Sequence, residues 1–497
     1  MSAVDYPVEE DEPTLRERIG DDPGPALRVL AVVVPLIAVE FGAVASLIMS
    51  LPWEAVGAAL PGALQGFAGA LAGVGDALAG LPTLLSRSVI DNSGYQLPSG
   101  EWVGTTMGLS PAVAWILRVL LVYAYGFAWM AVGWWVYLVY RDNYRHADWA
   151  PIDDVVNRFR NHSWGLFGLA VIFGFVVLAL FAPALGPTTV DANIADPYLH
   201  SVEYFDEETG SVQEIYVGEA NSGSQSRGQG GDNVGPLSYD KFDRFHPFGT
   251  LPSGKDLFTF MAAGARVSLF IGVLSLLIAG GIAVAFALAT AYYKGLVDLG
   301  VVIASDSIQS LPQLLFIMLA SFVLSGTWLA EFYNGGVVLA LLFGLTGWPG
   351  LWRAVRGPAL QVSEREWIDA AKSFGQRPSV TMRKHMLPYV VGYLLIYASL
   401  TLGGVIIGVA GLSFLGLGIN APTPEWGRAV SAGQPYVATP SWHISLLPGI
   451  VVVIVVTGFN ALGDGIRDAI DPQSDVSASG EADAAQQSET AAAGGGA

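Results

Sequence analysis

Eight predominantly apolar runs break this chain into spans and connectors: about Leu27–Leu51, Pro111–Tyr140, Trp164–Leu185, Ser268–Tyr292, Gly300–Leu324, Gly335–Ala354, Pro388–Leu412 and Ile444–Leu462. Each is near or beyond the ~18 residues that a helix needs to cross a bilayer. In lipid every backbone polar group must find its partner within the chain, so such runs fold as helices. The expected fold is therefore all-α, a polytopic membrane protein with about eight transmembrane helices. Charge content agrees: 13% of residues are charged, against about 25% in soluble proteins.

The connectors are more specific. Ser363–Pro388, SEREWIDAAKSFGQRPSVTMRKHMLP, lies between two spans yet does not read as an ordinary loop. Ser363 and Glu366 have the spacing of a capping box. Trp367, Ala370, Ala371 and Phe374 fall at helical spacing and form one apolar stripe. Gly375 stands where a short helix should stop. Pro378 suits the first turn of a second short helix, and Pro388 the first turn of the next span. The stretch is specified as helix, break, helix and return to the membrane, with an apolar stripe and basic charge suited to docking.

Asp369-Ala370-Ala371, Gly375, His385 and Leu387-Pro388 have the spacing of the EAA loop of ABC-transporter permeases, and the stretch resembles it. The chain departs from that pattern with Asp369 for Glu and His385 for Ile. Asp keeps the charge but shortens its reach. The resemblance implies that Glu366, Asp369, Ala370, Ala371, Gly375, Leu387 and Pro388 form a cytoplasmic coupling loop docking on an ATP-hydrolysing subunit. The alternative is an interhelical loop with a chance match.

Three further stretches resemble the second permease subunit of dipeptide, oligopeptide and nickel importers. They are His246-Pro-Phe-Gly-Thr250 with Gly254, Asp256 and Gly264–Leu269; Gly411–Gly418 with Pro422–Gly427; and Phe459–Gly465 with Arg467-Asp468 and Asp471-Pro472. The turn after HPFGT is altered, being Leu251-Pro252-Ser253. The resemblance covers about residues 158–472 and omits the first two spans. Read from the residues alone, Gly416 and Gly418 allow a tight turn or close helix approach. Trp426 suits a membrane interface, and Gly463-Asp464-Gly465 ends the last helix.

The resulting organisation is a disordered acidic tail (1–25) and an N-terminal extension with two spans and an amphipathic segment (26–140). A six-span permease core (141–472) follows, with an external insert at about 186–260 and the coupling loop at 355–387. A disordered tail (473–497) closes the chain. Residues 52–81 have amphipathic helical spacing, weakened by glycines; they lie in the interface, pack on neighbouring spans or form a weak span. The Gly/Ser-rich middle of the insert, 218–236, is expected to be flexible. Glu40, inside the first span, serves either a conduction path or a helix-packing hydrogen bond, the second being favoured. Asn161-His162-Ser163 is a sequon by pattern only, since it falls on the inner side.

Charge sets the orientation. With both termini cytoplasmic, sixteen Lys and Arg residues fall on inner segments and six on outer ones, as the positive-inside rule requires. The 363–388 stretch is then cytoplasmic, and the chain is a multi-pass plasma-membrane protein. The net charge of −19 and absence of cysteine exclude a disulfide framework and a thiolate site, and disfavour nucleic acid as a partner. High acid content with few lysines suggests a salt-adapted organism. No phosphate-loop, HExxH or GxSxG pattern is present, so the chain is expected not to be an enzyme, and no cofactor or metal is expected. The implied partners are a second homologous permease, two ATP-binding subunits, an extracellular substrate-binding protein and membrane lipid. The alternatives are a nickel or other small-solute permease, an ATP-independent secondary transporter or channel, and a membrane scaffold.

Overall fold

The computed structural model describes residues 13–42, 83, 86–87, 89–145 and 151–470. The segment 52–81 and the tail after Pro472 lie outside the described residues, as does the end of the first predicted span. The fold is mostly helical. Among the described residues six helices are each long and apolar enough to cross a membrane, and two further bent pairs bring the number to eight if each pair is one span.

The chain forms two compact units. One comprises residues up to Ile90 and Leu117–Ala150; the other comprises Asp91–Ile116 and the chain from Pro151 onward. The first unit holds α1 (Leu15–Asp21), α2 (Gly24–Val39) and most of α3 (Pro111–Asn143). Residues 15–21 were expected to be disordered but are helical. Thr14 and Glu17 form a reciprocal capping box, each side chain bonding the other's backbone N–H, which satisfies two otherwise orphaned donors. Tyr144 donates its hydroxyl to Asp22 O at 2.7 Å and accepts from Ala26 N at 3.0 Å. Glu40 is buried at the C-terminal cap of α2.

The second unit is the larger. It contains α4 (Pro151–Asn161), α5 (Ser163–Leu180), α6 (Val217–Gly223), α7 (Leu257–Tyr293), α8 (Gly295–Gln309), α9 (Gln313–Leu324) and α10 (Gly336–Ser363). The short helices α11 (Glu366–Ser373) and α12 (Pro378–Thr381) follow, then α13 (Leu387–Phe414), α14 (Trp426–Gly433) and α15 (His443–Ile470). The predicted span 300–324 is the pair α8 and α9, bent by 80° where Pro312 supplies no backbone donor.

Small residues set the helix spacing. On α7, Ala279, Ala283, Ala287 and Ala291 recur every fourth residue, all buried, against Trp348, Trp352, Val355 and Ala359 of α10. Gly165 of α5 and Gly465 of α15 touch so closely that a Cβ on Gly165 would lie 2.9 Å from the Gly465 Cα. Gly463 and Gly465 were expected to end the last helix. Instead α15 runs on to Ile470; Gly465 allows the backbone of α5 to approach, a role typical of membrane helices, and Gly463 leaves room for the Ser399 and Leu400 side chains.

The insert at about 186–260 is ordered where flexibility was expected in its middle. Antiparallel strands β1 (Ser201–Asp206) and β2 (Ser211–Tyr216) form a hairpin leading into α6. Composition suggested a loose linker, but buried polar bonds fix the segment. Ser226 and Thr250 hydroxyls lie 2.8 Å apart, Gly228 N donates to Ser441 Oγ at 2.9 Å, and Asp240 is buried beside Arg244. His246, of the HPFGT stretch, sits between two carboxylates. Its Nδ1 is 2.9 Å from Asp256 and its Nε2 3.3 Å from Asp240. Burial alone disfavours the imidazolium, but the carboxylates outweigh it and hold the His246 pKa above its ordinary value. Asp256 also accepts from Thr259 N and so caps α7. The insert is thereby locked to the first turn of a span.

Candidate docking site

The spans give the second unit two ends. At one end, the insert caps α7 through Asp256, and α14 packs on the same turns, Trp426 Nε1 donating to Met261 O at 2.8 Å. At the other end, α7 stops at Tyr293 and α10 stops at Ser363, with Lys294 and Glu364 paired at 3.2 Å. Here too α4 meets the end of α15, with Arg158 Nε donating to Ala469 O at 2.7 Å. The stretch around α11 lies at this second end, away from the insert.

The local structure follows from the sequence, with one shift of register. Ser363 does not cap α11. It is the last residue of α10, and its hydroxyl donates to Leu360 O at 2.7 Å, the local bond a serine makes inside a helix. Helix α11 begins three residues later, at Glu366, with Arg365 at its cap. Its end is as expected. Gly375 has φ +75°, Gln376 N donates to Ala371 O at 3.0 Å and Gly375 N to Lys372 O at 2.9 Å. This is the paired-bond helix stop for which glycine is favoured. Pro378 opens α12. No second break follows, however: α12 continues through a wide-turn segment, Met382–Met386, directly into α13. Pro388 cannot donate back to the preceding turn, and a wider turn accommodates that loss.

Packing divides α11 into two faces. Ile368 is fully buried in a cluster with Trp352, Val355, Met386 and Val390. The stripe Trp367, Ala370, Ala371 and Phe374 points the other way: Trp367 is 43% exposed, Phe374 89%, and only Ala371 is half-buried. Glu366, Asp369 and Gly375 are exposed with the stripe, as is Pro388, whereas Leu387 is half-buried. Asp369 pairs with Lys372 at 3.4 Å, an exposed contact of small energetic weight. Lys372 also sits over the Tyr292 ring, 5.3 Å from its centre. The site therefore presents a carboxylate and an aromatic residue on a helix whose opposite face is fixed in the core. The sequence reading missed Ile368, although it is the one aliphatic residue on the face opposite the stripe.

The other motif residues have structural places. Gly416, with φ +74°, ends α13 by the same paired-bond stop, Leu417 N donating to Leu412 O and Gly416 N to Ser413 O. Gly418 packs against Ser413. Trp426, expected at a membrane interface, is wholly buried. It fits because Gly264 leaves room for the indole, and because Gly427 lets α14 lie against the Ala410 carbonyl of α13.

Comparison with known proteins agrees with this architecture. Residues 281–475 match the family described as binding-protein-dependent transport system inner membrane component, and residues 150–200 match the N-terminal TM domain of oligopeptide transport permease C. The dipeptide transport system permease protein DppC of Bacillus subtilis is 37% identical over 228 residues, covering 46% of this chain and 69% of that protein. The oligopeptide transport system permease protein OppC of the same organism is 29% identical over 321 residues, covering 64% and 89%. The glutathione transport system permease protein GsiD of Pectobacterium atrosepticum is 33% identical over 242 residues, covering 48% and 75%. The chain belongs to the family of binding-protein-dependent transport system inner membrane components.

Proposed function

We propose that this chain is the membrane permease subunit of an ATP-driven peptide importer. It forms half of the translocation path with a second homologous permease, and it works with two ATP-binding subunits and an extracellular substrate-binding protein. The relatives' names support the substrate class, since dipeptides, oligopeptides and glutathione are all peptides. The observation that carries the coupling role is the division of α11 into the buried Ile368 and an exposed stripe ending in Phe374.

The mechanism follows from those attachments. A motor subunit gripping Asp369, Ala370 and Phe374 would push a helix that cannot swing freely. Ile368 ties it to α10 and to the approach to α13, and Lys372 ties it to the end of α7. A displacement driven by ATP would pass into three spans together and tilt the path between inward and outward access. The basic bias of this end supports a cytoplasmic docking site with both termini cytoplasmic.

The test is uptake by the chain reconstituted with its partner subunits, measured beside ATP hydrolysis. The reading expects Asp369→Lys to reduce uptake while the assembly still folds and hydrolyses ATP. Uptake of a peptide by this chain alone, with no ATPase present, would establish the secondary-transporter alternative instead.

A further inference from the structure

At the insert end, a cavity of about 360 Å³ opens between the turn before α7 and the segment that carries α14. Its walls include Leu251, Pro252, Phe260 and Pro422, and two cations line it, Lys255 and Arg428. Neither cation is in an ion pair among the described residues. Lys255 Nζ donates to Ile194 O at 3.2 Å, and Arg428 Nη1 donates to Thr423 O. Burial, and secondarily the nearby Arg428 charge, push the Lys255 pKa down. In a chain of net charge −19, two half-buried cations thus line one apolar pocket without a side-chain ion pair, the one carboxylate acting on them being the buried Glu425 behind Arg428. A volume of this size is in the range of small-ligand sites, which combine apolar walls with a few placed polar groups.

We propose that this cavity is a receiving subsite for the carboxylate end of a small ligand, a peptide C-terminus with a short apolar side chain. Lys255 and Arg428 face the carboxylate, and Phe260 with Pro422 covers the apolar group. The choice of a peptide rests on the importer reading above; the demand for an anion beside an apolar group does not. The pocket lies at the end opposite α11, so it would meet ligand on the far side of the membrane from the motor.

The experiment uses the full chain in lipid nanodiscs, titrated with dialanine and with dialanine amide, which lacks the negative charge. Dialanine should bind detectably and the amide at least about tenfold more weakly. Lys255→Gln should weaken dialanine about tenfold and leave the amide unchanged, and Lys255→Arg should recover most of the loss. A melting profile unchanged in Lys255→Gln would separate lost binding from lost folding. Equal binding of the two ligands, no binding of either, or full dialanine affinity in Lys255→Gln would overturn the subsite. Peptide uptake by the full assembly is the separate readout. Uptake that persists while the subsite test fails leaves the importer reading standing, and a wild-type assembly with no peptide uptake refutes that reading by itself.

Discussion

Trp367 stacks on Tyr389, with ring centroids 6.1 Å apart and planes 27° from parallel. One ring belongs to the exposed helix α11, the other to the first turn of the span α13. The contact joins the exposed face of α11 to the next long apolar helix without passing through a loop.

Ile368 anchors the other side of the same helix. Ile368→Ala should destabilise the second unit by about 2–4 kcal/mol, the usual range for emptying a buried aliphatic site. Trp367→Ala, with both rings half exposed, should cost less, about 1 kcal/mol. Thermal melts of the purified chain in detergent check the order. Equal melting temperatures for the two variants would show that Ile368 is not the anchor.

Asp369 and Gly375 should behave differently from Ile368. Asp369→Lys reverses an exposed charge and should leave the melting temperature within a degree or two, yet reduce ATP-driven uptake. At Gly375 a side chain would meet no atom within 4 Å, so its cost is the backbone penalty of about 1–2 kcal/mol for a left-handed residue. Gly375→Val is expected to fold and to uncouple hydrolysis from uptake. Wild-type uptake in both variants would remove α11 from the coupling role.

At the far end, Trp426→Ala should cost about 3–5 kcal/mol through the cavity left and the lost bond to Met261 O. Gly427→Ala should be worse, since its Cβ would overlap the Ala410 carbonyl. Failure of Gly427→Ala to accumulate in membranes, beside a detectable but weakened Trp426→Ala, is the expected pattern in an expression and melting comparison. A Gly427→Ala chain as stable as wild type would contradict the close approach of α14 to α13.

Glu425 gives a pH dependence. It is fully buried at the cap of α14, where Arg428 N donates to its Oε2 at 3.2 Å. Burial pushes its pKa from 4.5 to about 7, against the bonds that favour the carboxylate. Between those values the folded chain keeps a proton that the unfolded chain has lost. Stability from this group is therefore full below pH 4.5, falls as pH rises to about 7 and is flat above that. The whole difference is on the order of 3 kcal/mol. Glu425→Gln should lose this slope, so that its melting temperature gains on wild type between pH 5 and 8. Parallel pH profiles for the two proteins would rule out a buried, proton-binding Glu425.

Much of this architecture can be read from the residues, for physical reasons that also mark the limits. Apolar runs locate spans because lipid leaves the backbone no other partners. Gly375 and Gly416 stop helices because few other residues accept positive φ there. The capping box failed at Ser363 because the preceding span runs two turns past its apolar run, and spacing alone does not say which helix owns a serine. Gly463 and Gly465 were read as a stop, but Gly465 answers to Gly165, three hundred residues away, and Gly463 to Ser399 and Leu400 of α13. The insert looked loose because Gly, Ser and Asp compose both a linker and a buried polar network. The bonds linking Ser441 with Gly228 and Asn233, which help decide between them, join residues more than two hundred positions apart. Lys255 and Arg428 meet in one cavity only after the chain has folded.

The central claim is that α11 engages a motor from the cytoplasm. The chain has no cysteine, so Phe374→Cys introduces a single thiol at the most exposed point of the stripe. Thiol cross-linking of that variant in oriented vesicles, with the partner subunits present, is the most direct measurement. The account predicts labelling from the cytoplasmic side only and a cross-link to the ATP-binding subunit. Labelling from the external side, or full transport with no cross-link to that subunit, would contradict it.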